Sequence, residues 1–125
     1  MRRIAIVALA LGLAACSNDS TSPSSGIPGT YQLRTINGSS LPYTYSNGGG
    51  TVVSDVLTMF NDGTYSDVAQ FGDGTVSSEQ GIWSSTNGSI TFDDQTDALE
   101  YEGSLSGSVL TEIFEGGPTD VYQRQ

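Results

Sequence analysis

Short residue groups that reverse a chain at little conformational cost recur through this sequence at intervals of about ten to fifteen residues: Asn37-Gly38, Asn47-Gly48, Asn61-Asp62-Gly63, Gly72-Asp73-Gly74, Asn87-Gly88, Ser106-Gly107 and Gly116-Gly117-Pro118. Glycine and asparagine accept the positive φ that a tight reversal needs, so this punctuation specifies hairpins. The segments it leaves are the candidate strands: Thr30 to Ile36, Leu41 to Tyr45, Thr51 to Phe60, Thr64 to Phe71, Thr75 to Ser84, Ser89 to Asp93, Ala98 to Leu105, Val109 to Glu115 and Thr119 to Gln123. Most are short and alternate apolar with polar residues, as in Tyr31/Leu33, Leu57/Met59, Ile90/Phe92 and Leu99/Tyr101/Leu105, so one face is wet and the other buried.

No connection is long enough for a crossover helix, so sequential strands pair antiparallel in a meander. Beyond Gly29, alanine occurs only at Ala69 and Ala98 and lysine is absent, a composition that favours strand over helix. Eight or nine strands would leave two bare edges unless the sheet closes. The expected fold is therefore all-β, an antiparallel up-and-down barrel, with a two-sheet sandwich as the alternative. An eight-strand barrel has room for its own side chains or one small ligand.

The amino end carries a different kind of information. Arg2-Arg3 precede an apolar run from Ile4 to Leu13, too short to span a bilayer and suited to the core of an export signal. Leu13-Ala14-Ala15-Cys16 follows directly and resembles the bacterial lipobox. That resemblance implies a signal peptide at residues 1–15, cleavage before Cys16, and acylation of the Cys16 thiol. Several acyl chains attach a protein stably to a membrane. Residues 16–28 are Ser-rich and broken by Pro23 and Pro28; they read as a flexible tether of about 20 Å, and the folded domain spans 29–125. Ser17, rather than Asp, follows the cysteine, which favours the outer over the inner membrane of a bacterial envelope by the enterobacterial sorting rule.

Charge and residue inventory narrow the chemistry. The chain has a formal net charge of −10. Loss of Arg2 and Arg3 with the signal leaves 14 acidic groups against Arg34 and Arg124, a balance of −12. Phosphate recognition needs a basic face, so nucleic acid is not an expected partner. Without histidine or lysine there is no Ser-His-Asp triad, no Schiff-base lysine and no imidazole switch, and no cofactor is implied. Two carboxylates alone can run glycoside hydrolysis, but no pair stands out, since the acidic residues fall mainly at turns and on polar alternates; the chain is expected not to be an enzyme. Asp62 and Asp73 sit where turns favour Asp. Asp93, Asp94, Asp97 and Glu100 gather four carboxylates around a turn, a solvated acidic loop whose spacing matches no calcium motif, and no metal site is assigned.

Gly29-Thr30-Tyr31-x-Leu33, Asn37-Gly38-x-x-Leu41-Pro42, Leu57-x-Met59-x-Asn61-Asp62-Gly63-Thr64-Tyr65, Gly81-x-Trp83, Asn87-Gly88-x-Ile90-x-Phe92 and Val121-Tyr122-Gln123-Arg124, in that order, resemble the small lipocalin-like lipoproteins of bacteria. In lipocalins an N-terminal Gly-x-Trp packs beneath a C-terminal Arg at the barrel base. Tyr31 and Arg124 stand at those positions, and the resemblance implies that they form a structural latch. It also implies a non-enzymatic envelope lipoprotein that binds a small apolar molecule at its open end. The alternative is a structural or protein-interaction module of the envelope with a filled barrel. Tyr43 and Tyr45, beside the flexible Asn47-Gly48-Gly49-Gly50, are candidate ligand-binding residues at a loop mouth. Trp83, with Tyr31, Tyr65, Phe92 and Tyr101, is a candidate pocket wall; core packing is the other reading of those aromatics.

Overall fold

A computed structural model describes residues 26–125. The signal segment, Cys16 and the tether up to residue 25 lie outside the described residues.

All the regular elements described are strands: β1 (Gly29–Ile36), β2 (Ser39–Ser40), β3 (Tyr43–Thr44), β4 (Thr51–Met59), β5 (Thr64–Phe71), β6 (Val76–Thr86), β7 (Ser89–Asp94), β8 (Leu99–Ser106), β9 (Val109–Ile113) and β10 (Thr119–Arg124). Sequential partners from β4 to β10 are antiparallel, and β1 then pairs with both β10 and β4. Gly29 to Gln32 face Met59 to Val56 across the last seam, which closes eight strands into a barrel. Closure excludes the sandwich alternative, because both sides of β1 are occupied and no long edge is left to solvent.

Turn chemistry follows the residue types. Asn37-Gly38 and Asn87-Gly88 have positive φ at both positions (50° and 79°, 52° and 81°), the geometry whose twist suits a two-residue hairpin. Asp62 accepts from the Thr64 backbone N–H at 2.9 Å and its hydroxyl at 2.6 Å, and Asp73 does the same for Thr75 at 3.0 and 2.7 Å. These bonds favour the charged carboxylate and lower both acids below the usual range. The segment from Leu41 to Tyr45, expected as one strand, is strand only at Tyr43–Thr44. Ser39–Ser40 turns back to pair antiparallel with the end of β1 and Tyr43–Thr44 pairs with the start of β4, because Pro42 between them has no N–H to continue a ladder.

The inward face runs with period two along the strands, broken by a bulge in β1 and another in β4. Toward the end where β1 starts and β10 finishes, it carries Tyr31, Leu57, Met59, Trp83, Ile90 and Leu110, all buried. Two inward positions are glycine for reasons of space. A Cβ on Gly81 would lie 2.2 Å from the Asp93 carbonyl oxygen and 2.7 Å from the Tyr65 ring; one on Gly103 would lie 2.8 Å from the Thr111 carbonyl oxygen and 3.1 Å from the Phe92 ring. The missing side chains make room for these rings, which pack edge to face with centroids 5.3 Å apart.

At the base, Arg124 lies over the Tyr31 ring, 5.1 Å from its centroid. Its guanidinium donates to the Tyr31 hydroxyl oxygen and to the carbonyls of Gly26 and Ile27, while the Tyr31 hydroxyl donates to the Ile27 carbonyl. Ile27 itself is buried in the core. Packing therefore begins at Ile27, two residues inside the segment expected to be tether, because the latch needs carbonyl acceptors and takes them from that segment.

Candidate functional site

The other end of the barrel is where β5 and β9 finish and β6, β8 and β10 begin, and there the interior changes character. Asp55, Asp67, Glu79, Asp94 and Asp120 line a cavity of about 340 Å³, together with the rings of Tyr45, Phe71, Tyr101, Phe114 and Tyr122. Each acid is carried inward by the strand period. Asp67 is two residues from buried Tyr65, Asp94 two from Phe92, and Asp120 two from Tyr122. Asp55 precedes Leu57 by two, and a bulge between Val52 and Ser54 brings both Val52 and Asp55 to the interior. Glu112, two from Leu110, is fully enclosed just below.

These carboxyls have no basic partner within the barrel. The described residues contain no lysine or histidine; Arg34 is exposed, and Arg124 is engaged at the base. Burial therefore disfavours their charged forms, and mutual repulsion adds to it. Asp120 is pushed up to about 6 by burial alone. Burial also raises Asp55, to about 6, and Asp67 much further, because Asp67 keeps the proton of the hydrogen bond that the two share. Glu79 is raised to about 8 by burial, then by the charge of Asp94. Burial, then the neighbouring acids, lift Glu112 well above the carboxylate range, although a hydrogen bond with the Tyr122 side chain acts in the opposite direction. Tyr45, beside Asp120 and Asp55 at the mouth, is raised to about 12, chiefly by burial.

Several of these oxygens have no partner at all. Asp55 Oδ1, Asp67 Oδ1, Asp120 Oδ1 and Glu112 Oε1 are buried without a hydrogen bond. An unsatisfied buried acceptor costs about 1 to 3 kcal/mol, more when charged, so four of them in one small barrel mark an interior shaped for something other than stability.

Of the residues expected to bind ligand, Tyr45 lines the cavity. Tyr43 does not; it packs edge to face on Tyr45 with centroids 5.2 Å apart. Trp83 is set apart from the cavity, buried in the basal core, with its indole N–H shared between the Phe60 and Thr64 carbonyls at 3.1 Å each. The four carboxylates expected around one loop separate. Asp93 and Glu100 pair across β7 and β8, while Asp94 turns inward. Asp94 joins Glu79 and Asp97, with one oxygen from each within 4.8 Å of the others. Asp94 Oδ1 accepts from the backbone N–H of Thr96 at 2.8 Å and of Asp97 at 3.2 Å. The expectation that the acids lie at turns and on polar alternates fails for Asp55, Asp67, Glu79, Asp94, Glu112 and Asp120, which share the phase of the core residues. An interior holding these acids is also not the apolar one expected. The signal was present in the spacing: Asp55-x-Leu57, Tyr65-x-Asp67, Phe92-x-Asp94, Leu110-x-Glu112 and Asp120-x-Tyr122 each repeat the core period with an acid in place of an apolar residue.

Comparison with known proteins adds the fold. A lipocalin-like protein from Bacteroides uniformis has a solved structure that superposes with a TM-score of 0.52 at 19% identity, over 78% of this chain and 97% of that one. The fold is lipocalin-like. An uncharacterized protein from Bacteroides eggerthii superposes equally well, with a TM-score of 0.52 at 15% identity over 78% of this chain and 98% of that one. No protein-family model and no curated protein sequence matches the chain.

Proposed function

We propose that this chain is a non-enzymatic bacterial envelope lipoprotein, held to a membrane through acylated Cys16, whose lipocalin-like barrel binds one small molecule in the cavity at its open end. The observation that carries this reading is the set of partnerless buried oxygens on Asp55, Asp67 and Asp120 facing a cavity of about 340 Å³. That volume is at the small end of ligand sites, about 300 to 1,000 Å³, and a convergent polar group beside an aromatic wall is their usual composition. A hollow mouth half supports a binder over an interaction module with a filled barrel. The ligand is polar rather than the wholly apolar molecule expected from the resemblance, since a hydrocarbon would leave every acceptor in the wall unsatisfied.

The test uses the full chain expressed in a bacterial host and extracted in mild detergent. Native mass spectrometry is expected to find a retained small molecule, and the intact mass to report acyl chains that the Cys16→Ser variant lacks. Ala69→Trp, which places an indole in the cavity, is expected to abolish retention. A mature chain without added mass, wild type and variant alike, would refute the binding reading; an unacylated Cys16 would refute the anchor.

A further inference from the structure

The chemistry of the cavity also selects the class of ligand, an inference that rests on the binding reading above. Asp55 and Asp120 are 8% and 7% exposed, each has one buried oxygen without a partner, and both line the cavity. Tyr45 lines the same cavity beside them. Nothing on the interior wall supplies positive charge. A ligand that completes this site therefore brings donors and a cation of its own.

Two kinds of cation fit that description, and geometry separates them. Ca²⁺ needs six to eight oxygens converging at about 2.3 to 2.6 Å. Among the described residues, the group of three acids whose oxygens approach within 4.8 Å is Glu79, Asp94 and Asp97, which includes neither Asp55 nor Asp120. The inner acids are instead spread around a space of about 340 Å³. That is roughly ten water volumes, far more than a bare ion fills. Apart from Ser77, the rest of the wall is hydrocarbon and ring, with Val52, Phe71, Leu99 and Phe114 beside Tyr45 and Tyr101. Such a wall suits an organic body, and its rings add cation–π attraction to an ammonium group.

We propose that the cavity binds a small organic ammonium compound, an alkyl or aryl amine of about ten non-hydrogen atoms, whose charged nitrogen donates to the free oxygens of Asp55 and Asp120 while its hydrocarbon body lies against Tyr45, Phe71 and Phe114. Asp55→Asn and Asp120→Asn keep the side-chain shape and remove the charge, so their effect on affinity reads the ion pair directly.

Isothermal titration of the full chain in detergent with 2-phenylethylamine, 1,6-diaminohexane, the neutral 2-phenylethanol, phenylacetate and CaCl₂ tests this. Saturable binding of at least one amine is expected, weakened tenfold or more in both Asn variants and lost in Ala69→Trp. The neutral and anionic analogues are expected to bind at least tenfold more weakly, and CaCl₂ not to displace the amine. Circular dichroism and thermal melting establish that each variant is folded, and Ile82→Thr, on the exposed outer face of β6 away from the cavity, is expected to retain amine binding. The inference is overturned if neither amine binds, if 2-phenylethanol binds as tightly, if folded Asn variants keep full amine affinity, or if CaCl₂ displaces the amine. Tight 2-phenylethanol binding that Ala69→Trp abolishes would overturn the amine class while leaving the binding reading intact. Absence of both probe binding and a retained native ligand would end both.

Discussion

Asp120 illustrates what a single inward carboxyl does to this protein. It is 7% exposed and raised from 3.8 to about 6, so the folded state holds its proton more tightly than the unfolded chain does. For an acid shifted in this direction, the stabilising effect of protonation is complete below the unfolded value and is lost as pH rises to the folded value. Asp55, raised over the same span, adds to the effect. Stability is therefore expected to fall between about pH 4 and pH 6, by about 2 kcal/mol for each group, and to keep declining toward pH 8 as Glu79 ionises. Urea midpoints measured from pH 4 to 8 check the sign; a midpoint that rises with pH contradicts it. Asp120→Asn is expected to raise the melting temperature at pH 8 by several degrees and to flatten that profile. At the base, Arg124→Ala removes a cation–π contact and three hydrogen bonds in a part-buried setting, and an expected loss of about 2 kcal/mol is checked by thermal melting.

At the level of the strand, the requirements are spatial. In β6 the inward side chains step from Glu79 at the cavity through Gly81 to Trp83 in the core, and the small residue between them is imposed by the Tyr65 ring. Gly81→Ala is expected to cost 3 kcal/mol or more, since the clash involves a backbone oxygen of β7 that cannot move without breaking the pairing of Gly81 with Asp94. Gly88→Ala, at φ +81° with open space around it, is expected to cost only about 1 kcal/mol from backbone strain. Denaturant unfolding of the two variants side by side tests this contrast, because a purely conformational role for glycine would make Gly88, with its positive φ, the costlier position. The turns were legible because Asn-Gly geometry is local. The shortening of Leu41 to Tyr45 to a two-residue pairing was less so, although Pro42 gave its reason.

For the whole barrel, the consequence is a molecule with two unlike halves. The basal half is filled by Met59, Trp83, Ile90 and Leu110 and stapled by Arg124 to Tyr31, whereas the mouth half is hollow and acidic. A cationic ligand that neutralises the mouth is expected to stabilise the fold more at pH 8 than at pH 5, because the carboxylates it pairs with are then ionised. Thermal shifts with 2-phenylethylamine at the two pH values check this; equal shifts would separate binding from the buried acids.

The order of turns, the period of the strands and even the inward phase of the acids are properties of neighbouring residues, and these the sequence determined by itself. Asp67 follows Tyr65 by two and Asp94 follows Phe92 by two whether or not a barrel exists. What that phase meant was decided only in three dimensions. Pairing of β1 with β4 converts an inward face into an interior, and the sizes of side chains arriving from eight strands settle whether that interior is filled or left open. Tyr65, Phe92 and Trp83 fill one half, while short aspartates in the other leave a space with oxygens on its wall. Alternation specifies direction at each residue, but volume is a sum over residues distant in sequence, and no local pattern records it.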